Sequence, residues 1–184
     1  DALFSMLTTS HALHFYAGQV PQRVGNRHPL STPFGCFATR DGQVVIAVLS
    51  GRQFATLAAL IGAPGAADDP RFASDEMRTA HEPALKALIE AWSLGLTTDE
   101  AVAALTAAGL PTAPIWDIAQ AADNEHTQAR GLVSQLPHAT LGMAPSVGQP
   151  VRFDGEKPVA ATSAPQLGGD LAAVLRRLGL EEMA

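Results

Sequence analysis

Residues 33–49 read PFGCFATRDGQVVIAVL, two short apolar runs hinged on Arg40-Asp41-Gly42. The second run is rich in β-branched residues, and an Asp-Gly step between such runs is a strong local signal for a β-hairpin. The following residues narrow the fold further. Phe54, Leu57, Ala58, Leu60 and Ile61 recur at helical spacing after Gly51 and give way to Gly62 and Pro64, so the predicted order is strand, strand, helix. A small hairpin packed with helices is an α+β domain.

The flanking segments add helices. Residues 2–17 carry Leu3, Phe4, Met6, Leu7, Leu13, Phe15 and Tyr16, a pattern that predicts one helix, ended by Gly18, that suits burial on much of its circumference and on its own exposes those side chains and seeks a partner. Residues 19–30 form an extended connector. Residues 75–94 give a long helix with Met77, Ala80, Leu85, Leu88, Ile89 and Trp92 as its apolar side, divided at Pro83 because an interior proline removes a ladder hydrogen bond. Thr97 and Glu100 fit a capping box that opens a helix ending at Gly109. Residues 110–116 are extended. Residues 117–122 and 125–130 are short helical turns, with Asp117 as an N-cap. Strands are expected at 132–136 and 151–153 around the Gly/Pro-rich LGMAPSVGQP. A connector over 154–169 then leads to a terminal helix at 170–178, and Gly168-Gly169 marks that helix start.

Composition excludes several classes of function. Among 184 residues, 47% are hydrophobic and 16% charged, which is a globular balance. The net charge of -6, with Lys86 and Lys157 as the only lysines, lacks the basic footprint of a nucleic-acid partner. No apolar run approaches the roughly 20 residues of a membrane span, and no basic leader opens the chain, so a cytoplasmic protein is expected. The single cysteine, Cys36, excludes an intrachain disulfide and, beside Phe34 and Phe37, reads as a small buried hydrophobe.

Three places invite chemistry. Gly25, Asn26, Arg27 and His28 form a loop running straight into the hairpin; Arg27 and His28 are able to hold a carboxylate or phosphate, or else Arg27 faces solvent and His28 satisfies a tight turn. His11 and His14 lie three apart on one helical face, but two histidines are half a zinc site, and no metal is expected. His81, His126 and His138 read as solvated. Asp1 precedes an apolar helical pattern with no capping residue ahead of it; the sequence is expected to begin in mid-helix, as part of a longer polypeptide. As a plain helix start, an acidic residue there suits the dipole.

The ordered series GQVPQRVGNRHP, PFGCFATRDGQVVIAV, GRQFATLAALIG, DPRFAS, AAGLPTAPIWDIAQA, QARGLV and LPH resembles the family III CoA transferases, the CaiB/BaiF family, over their C-terminal half. The resemblance implies a small α+β domain (31–131), flanked by a helix and linker (1–30) and a C-terminal segment (132–184). It implies that both flanks belong to a Rossmann-like large domain that is mostly absent. It implies an interlocked homodimer using coenzyme A as substrate, with no permanently bound cofactor, and a small carboxylic acid as acceptor. It also implies that Asp1 is a catalytic nucleophile, passing through an aspartyl-CoA thioester, with Gly25, Asn26, Arg27 and His28 near the acyl or CoA end. The glycine run of oxalate-related members is missing from HPLSTPF, so oxalate or formate specificity is not implied. Racemases of the family remain an alternative, although the carboxylate many carry after the second hairpin strand is absent from Leu49-Ser50-Gly51-Arg52. A non-catalytic dimerising fragment is the other, and residues 1–184 alone are expected to be inactive, because the resemblance puts the pocket for the CoA nucleotide in the absent half.

Overall fold

The hairpin pairs Phe34 with Ala47 and Ala38 with Gln43 in a computed structural model that describes residues 1–156 and 163–180. Strand β1 (Phe34–Ala38) runs antiparallel to β2 (Gln43–Ala47), and a third short strand, β3 (Thr112–Pro114), pairs antiparallel with the other edge of β2. Period-two alternation places Phe37, Val44, Ile46 and Val48 in the core. Against them pack Phe54 and Leu57 of α3 (Gly51–Leu60), Leu85 and Ile89 of α5 (Glu82–Ser93), and Ala101 and Leu105 of α6 (Thr98–Ala107). Each large side chain fully buried in this way contributes roughly 1.5–3 kcal/mol.

Local chemistry sets the helix boundaries. Ser50 accepts a hydrogen bond from the Gln53 N–H and Ser74 one from the Met77 N–H, which starts α3 and α4 (Asp75–Ala80). The long helical pattern does break, at His81, with Pro83 in the first turn of α5. The capping box forms as the sequence requires: the Thr97 N–H donates to Glu100 at 2.7 Å and the Glu100 N–H to Thr97 Oγ1 at 3.2 Å. Asp41 in the hairpin turn accepts from the Thr98 N–H and hydroxyl, at 2.8 and 2.9 Å, and so ties the turn to the start of α6. Those bonds, the Thr98 N–H foremost, hold the Asp41 carboxyl below its ordinary pKa.

Three expectations need correction. Residues 2–17 form two helices, α1 (Ala2–Met6) and α2 (Thr8–Ala17), separated at Leu7, and no residue of either is buried. Apolar side chains spread around a helix do not by themselves supply a neighbour to bury them. The C-terminal signal was right: Gly18 ends α2 in the left-handed conformation, φ +63°. The apolar side assigned over 75–94 is shifted too. Met77 and Ala80 are exposed, while Arg78 is buried in their place, together with Leu85, Ile89 and Ser93. Finally, the strand expected at 151–153 is absent apart from a bridge between Phe153 and Glu156. Its place is taken by the Gly/Pro-rich stretch itself: β5 (Gly142–Val147) pairs antiparallel with β4 (Val133–His138).

By its internal contacts the chain divides into Asp1–Ile115 and Trp116–Ala184. The second unit holds the β4–β5 ladder, α7 (Ile118–Asp123), α8 (Glu125–Arg130) and α9 (Leu171–Leu178). Asp117 caps α7 in a reciprocal box with Gln120. The connector expected over 154–169 lies partly outside the described residues. Among those described, no helix is long and apolar enough to cross a membrane.

Candidate functional site

The outer edge of β1, opposite β2, organises the candidate site. An exposed strand edge carries unpaired N–H and C=O groups that need partners, and here two different elements supply them. The loop over residues 24–33 lies along the first half of the edge: the His28 N–H donates to the Phe34 carbonyl at 2.7 Å, and the Cys36 N–H to the Asn26 carbonyl at 3.1 Å. Arg27 and Gly35 thereby form an antiparallel bridge. Helix α5 covers the end of the edge, where Glu90 accepts from the Ala38 N–H at 3.0 Å and the Ser93 hydroxyl donates to the Ala38 carbonyl at 2.6 Å.

Two glycines permit the close approach. Gly25 turns the chain at φ +71°, a conformation that costs most residues energy. At Gly35 a Cβ would lie 2.8 Å from the Asn26 carbonyl oxygen and 3.1 Å from the Arg27 Cα. Any side chain there would push the loop away.

The far end of the loop is clamped at Thr32. Its N–H donates to Asp75 Oδ1 at 2.9 Å, its hydroxyl shares a hydrogen bond with Thr79 at 2.9 Å, and its carbonyl accepts from Arg78 Nε. Arg78 is only 4% exposed. Its remaining nitrogens donate to the Phe72 carbonyl at 3.1 Å and to Asp75 at 3.2 Å, and its guanidinium lies 4.8 Å from the Phe54 ring centre. A buried charge is tolerable only when its donors are answered in this way.

Between loop, strand and helix lies an open cavity of about 450 Å³. Gly25, Asn26 and Arg27 line it together with Cys36 and, from α5, Glu82 and Lys86. Three of the sequence-derived site residues are thus brought together. His28 is not part of the lining; its ring stacks on Phe34, with centroids 5.0 Å apart and planes 9° from parallel. Asp1 is not part of it either. It stands exposed at the start of α1, its side chain making no capping hydrogen bond. Cys36, expected to be buried, is only partly buried, on the cavity wall, because alternation along β1 sends Gly35 and Phe37 inward instead.

Sequence reasoning missed Glu82 and Lys86. The only available signal was their i, i+4 spacing beside Leu85, at the border of the apolar face. It missed the Thr32–Asp75–Arg78 clamp entirely. No group of three metal-ligating side chains occurs among the described residues; His11 and His14 instead pack against Phe15, and His11 also against Phe4.

Comparison with known proteins sets this geometry in context. A family model described as CoA-transferase family III matches residues 1–171. An acetyl-CoA:oxalate CoA-transferase of Acetobacter aceti is 33% identical over 94% of this chain and 44% of its own length. An acyl-CoA transferase of Fusarium pseudograminearum is 30% identical over all of this chain and 41% of its own. The crystal structure of a CaiB/BaiF family protein from Brucella suis superimposes with a TM-score of 0.77 at 29% identity, covering 95% of this chain and 45% of that one. The chain therefore spans less than half the length of these relatives.

Proposed function

The chain belongs to CoA-transferase family III, and from that premise we propose that it serves as the C-terminal portion of an acyl-CoA:carboxylate CoA-transferase. The observation that carries this reading is the family match over nearly the whole chain, supported by relatives whose names describe CoA transfer. In this reading Asp1 is the nucleophile. Residues 25–27 wall the acyl end of the substrate, and His28 backs that wall through its stacking on Phe34.

The chemistry follows from what a carboxylate does to a thioester. An Asp1 carboxylate oxygen attacks the acyl carbonyl carbon, the carbon–sulfur bond breaks, and CoA leaves as thiolate, giving a mixed anhydride. The thiolate then attacks the aspartyl carbonyl carbon and expels the original acid, leaving an aspartyl-CoA thioester. An acceptor carboxylate attacks that thioester, and the released thiolate takes the new acyl group from the second anhydride. Aspartate is regenerated, with no net redox change. Covalent catalysis of this kind divides one high barrier into lower ones. Both intermediates hydrolyse readily, so the site must also exclude water. Coenzyme A enters as substrate, and we place the protein in the cytoplasm as a homodimer.

Trapping tests the reading. The whole polypeptide of which residues 1–184 form the C-terminal portion, incubated with an acyl-CoA and then hydroxylamine, should yield an aspartyl hydroxamate on the peptide that carries Asp1, detected by mass spectrometry. Hydroxamate on another acidic residue, with Asp1 unmodified, would reassign the nucleophile.

A further inference from the structure

Cys36 and Lys86, the sole cysteine and one of the two lysines in the sequence, line the same cavity, and the transfer chemistry uses neither. The main chain brings them close. Glu90 on α5 accepts from the Ala38 N–H through Oε1 at 3.0 Å, and Lys86 Nζ lies 3.8 Å from that same oxygen. The amine is therefore held at the outer edge of β1 beside Ala38. Cys36 stands two residues back along the strand, and period-two alternation puts its side chain on the face that Ala38 shares. Two strand residues span only about 7 Å, a gap that the flexible four-carbon stem of Lys86 can close. Neither group is locked in place. Cys36 is a free, partly exposed thiol, and 3.8 Å is too long for a hydrogen bond between Lys86 and Glu90. Arg27 adds a second cation to the lining, and Val24, Phe34, Phe37 and Leu85 add apolar surface. Reactive thiols are found in partly exposed, electropositive surroundings, and apolar walls suit an acyl chain.

We propose that Cys36 and Lys86 form an acyl relay by which the protein modifies itself: Cys36 takes an acyl group from acyl-CoA, and Lys86 receives it as a stable amide. The inference takes from the transfer reading only that acyl-CoA is the substrate; Asp1 has no part in it. In the first step the Cys36 thiolate attacks the acyl carbonyl carbon, the carbon–sulfur bond to CoA breaks, and CoA leaves with the proton that the thiol gave up. In the second step the lone pair of the unprotonated Lys86 amine attacks the Cys36 thioester carbon. The carbon–sulfur bond to Cys36 breaks, the amide forms, and the proton released from nitrogen returns to the Cys36 sulfur. No electrons change hands, and Cys36 is regenerated. Holding amine and thioester on one cavity wall makes the second step unimolecular, which is where the relay gains over direct attack of Lys86 on acyl-CoA from solution. Acylation cancels the Lys86 charge.

The test incubates the whole polypeptide with acetyl-CoA, as wild type, Cys36→Ala and Lys86→Arg, and follows acetylated peptides by mass spectrometry. Lys86 should gain acetyl at least about tenfold faster than Lys157, the other lysine of residues 1–184. Cys36→Ala should bring Lys86 down to the Lys157 rate. Lys86→Arg should instead accumulate acetyl on Cys36, which neutral hydroxylamine removes, whereas the Lys86 amide of the wild type survives that treatment. Acetylation of Lys86 at an undiminished rate in Cys36→Ala overturns the relay. So does a Cys36 thioester in the wild type that never reaches Lys86, or an absence of acetyl from both residues. Label exchange between acetyl-CoA and free acetate, followed in the same samples, keeps the two readings apart. Exchange without Lys86 acetylation leaves the transferase reading and removes the relay; Cys36-dependent acetylation without exchange does the reverse.

Discussion

Residues 24–36 and residues 1–17 both carry proposed site groups, yet different forces shape them. The loop and β1 are held by hydrogen bonds that reach α4 and α5, including a buried arginine and two glycine-dependent contacts. The backbone hydrogen bonds of α1 and α2 stay within residues 1–19, and Leu3, Met6 and Tyr16 are each more than three-quarters exposed. The wall of the cavity is therefore preorganised by this chain's own packing. The helix that begins at Asp1 has only its local hydrogen bonds. Apolar exposure on that scale marks an interaction surface rather than a finished core.

The comparison breaks most sharply at Arg78. Replacing it with alanine strips charged donors from the Thr32 and Phe72 carbonyls and leaves Asp75 with the Thr32 N–H alone, so unfolding free energy should drop by about 2–5 kcal/mol in chemical denaturation. Gly35→Ala comes next, at roughly 1–3 kcal/mol, since the new methyl meets the Asn26 carbonyl oxygen. It should also speed hydrogen exchange at the His28 and Cys36 amides, which a general loss of core packing would not do selectively. Ser93→Ala removes the hydroxyl bond to Ala38 and should cost about 1 kcal/mol.

Acid titration gives a smaller effect with a definite sign. The Asp41 carboxyl is held down chiefly by the Thr98 N–H, and that of Glu100 by the Thr97 N–H. A carboxyl depressed in the folded state stabilises the fold while ionised. Its contribution is present above the unfolded value near about 4 and is lost as pH falls through the folded one. Stability should thus decline below about pH 4, and less steeply in Asp41→Asn. Smallest of all, Tyr16→Ser should change stability by no more than about 0.5 kcal/mol. A loss there as large as that of Arg78→Ala would erase the distinction between the two regions.

What the sequence disclosed follows the range of the interactions. Turn and cap chemistry acts over three or four residues, and so the Asp41-Gly42 hairpin, the Thr97–Glu100 box, the Asp117 cap and the break before Pro83 were all readable. The misreadings have non-local causes. LGMAPSVGQP looks like a loop because of its glycines and prolines, yet in a two-stranded ladder each strand keeps an unpaired edge where a proline nitrogen can sit. Arg78 looks like a surface residue until Thr32, 46 positions away, supplies its acceptor. Lys86 looks like part of a solvated helix face until the cavity appears beside it. Gly25, Asn26 and Arg27 were singled out through loop composition and family resemblance, although nothing local to them reveals the strand edge that they complete.

The most direct measurement is the rate of CoA exchange between an acyl-CoA and an isotopically labelled free acid in the whole polypeptide, of which residues 1–184 form the C-terminal portion, carrying Asp1→Asn. Loss of the covalent carboxylate should slow exchange by at least about a thousandfold, with folding unaffected because the Asp1 side chain makes no capping bond. Exchange at the wild-type rate would contradict the account.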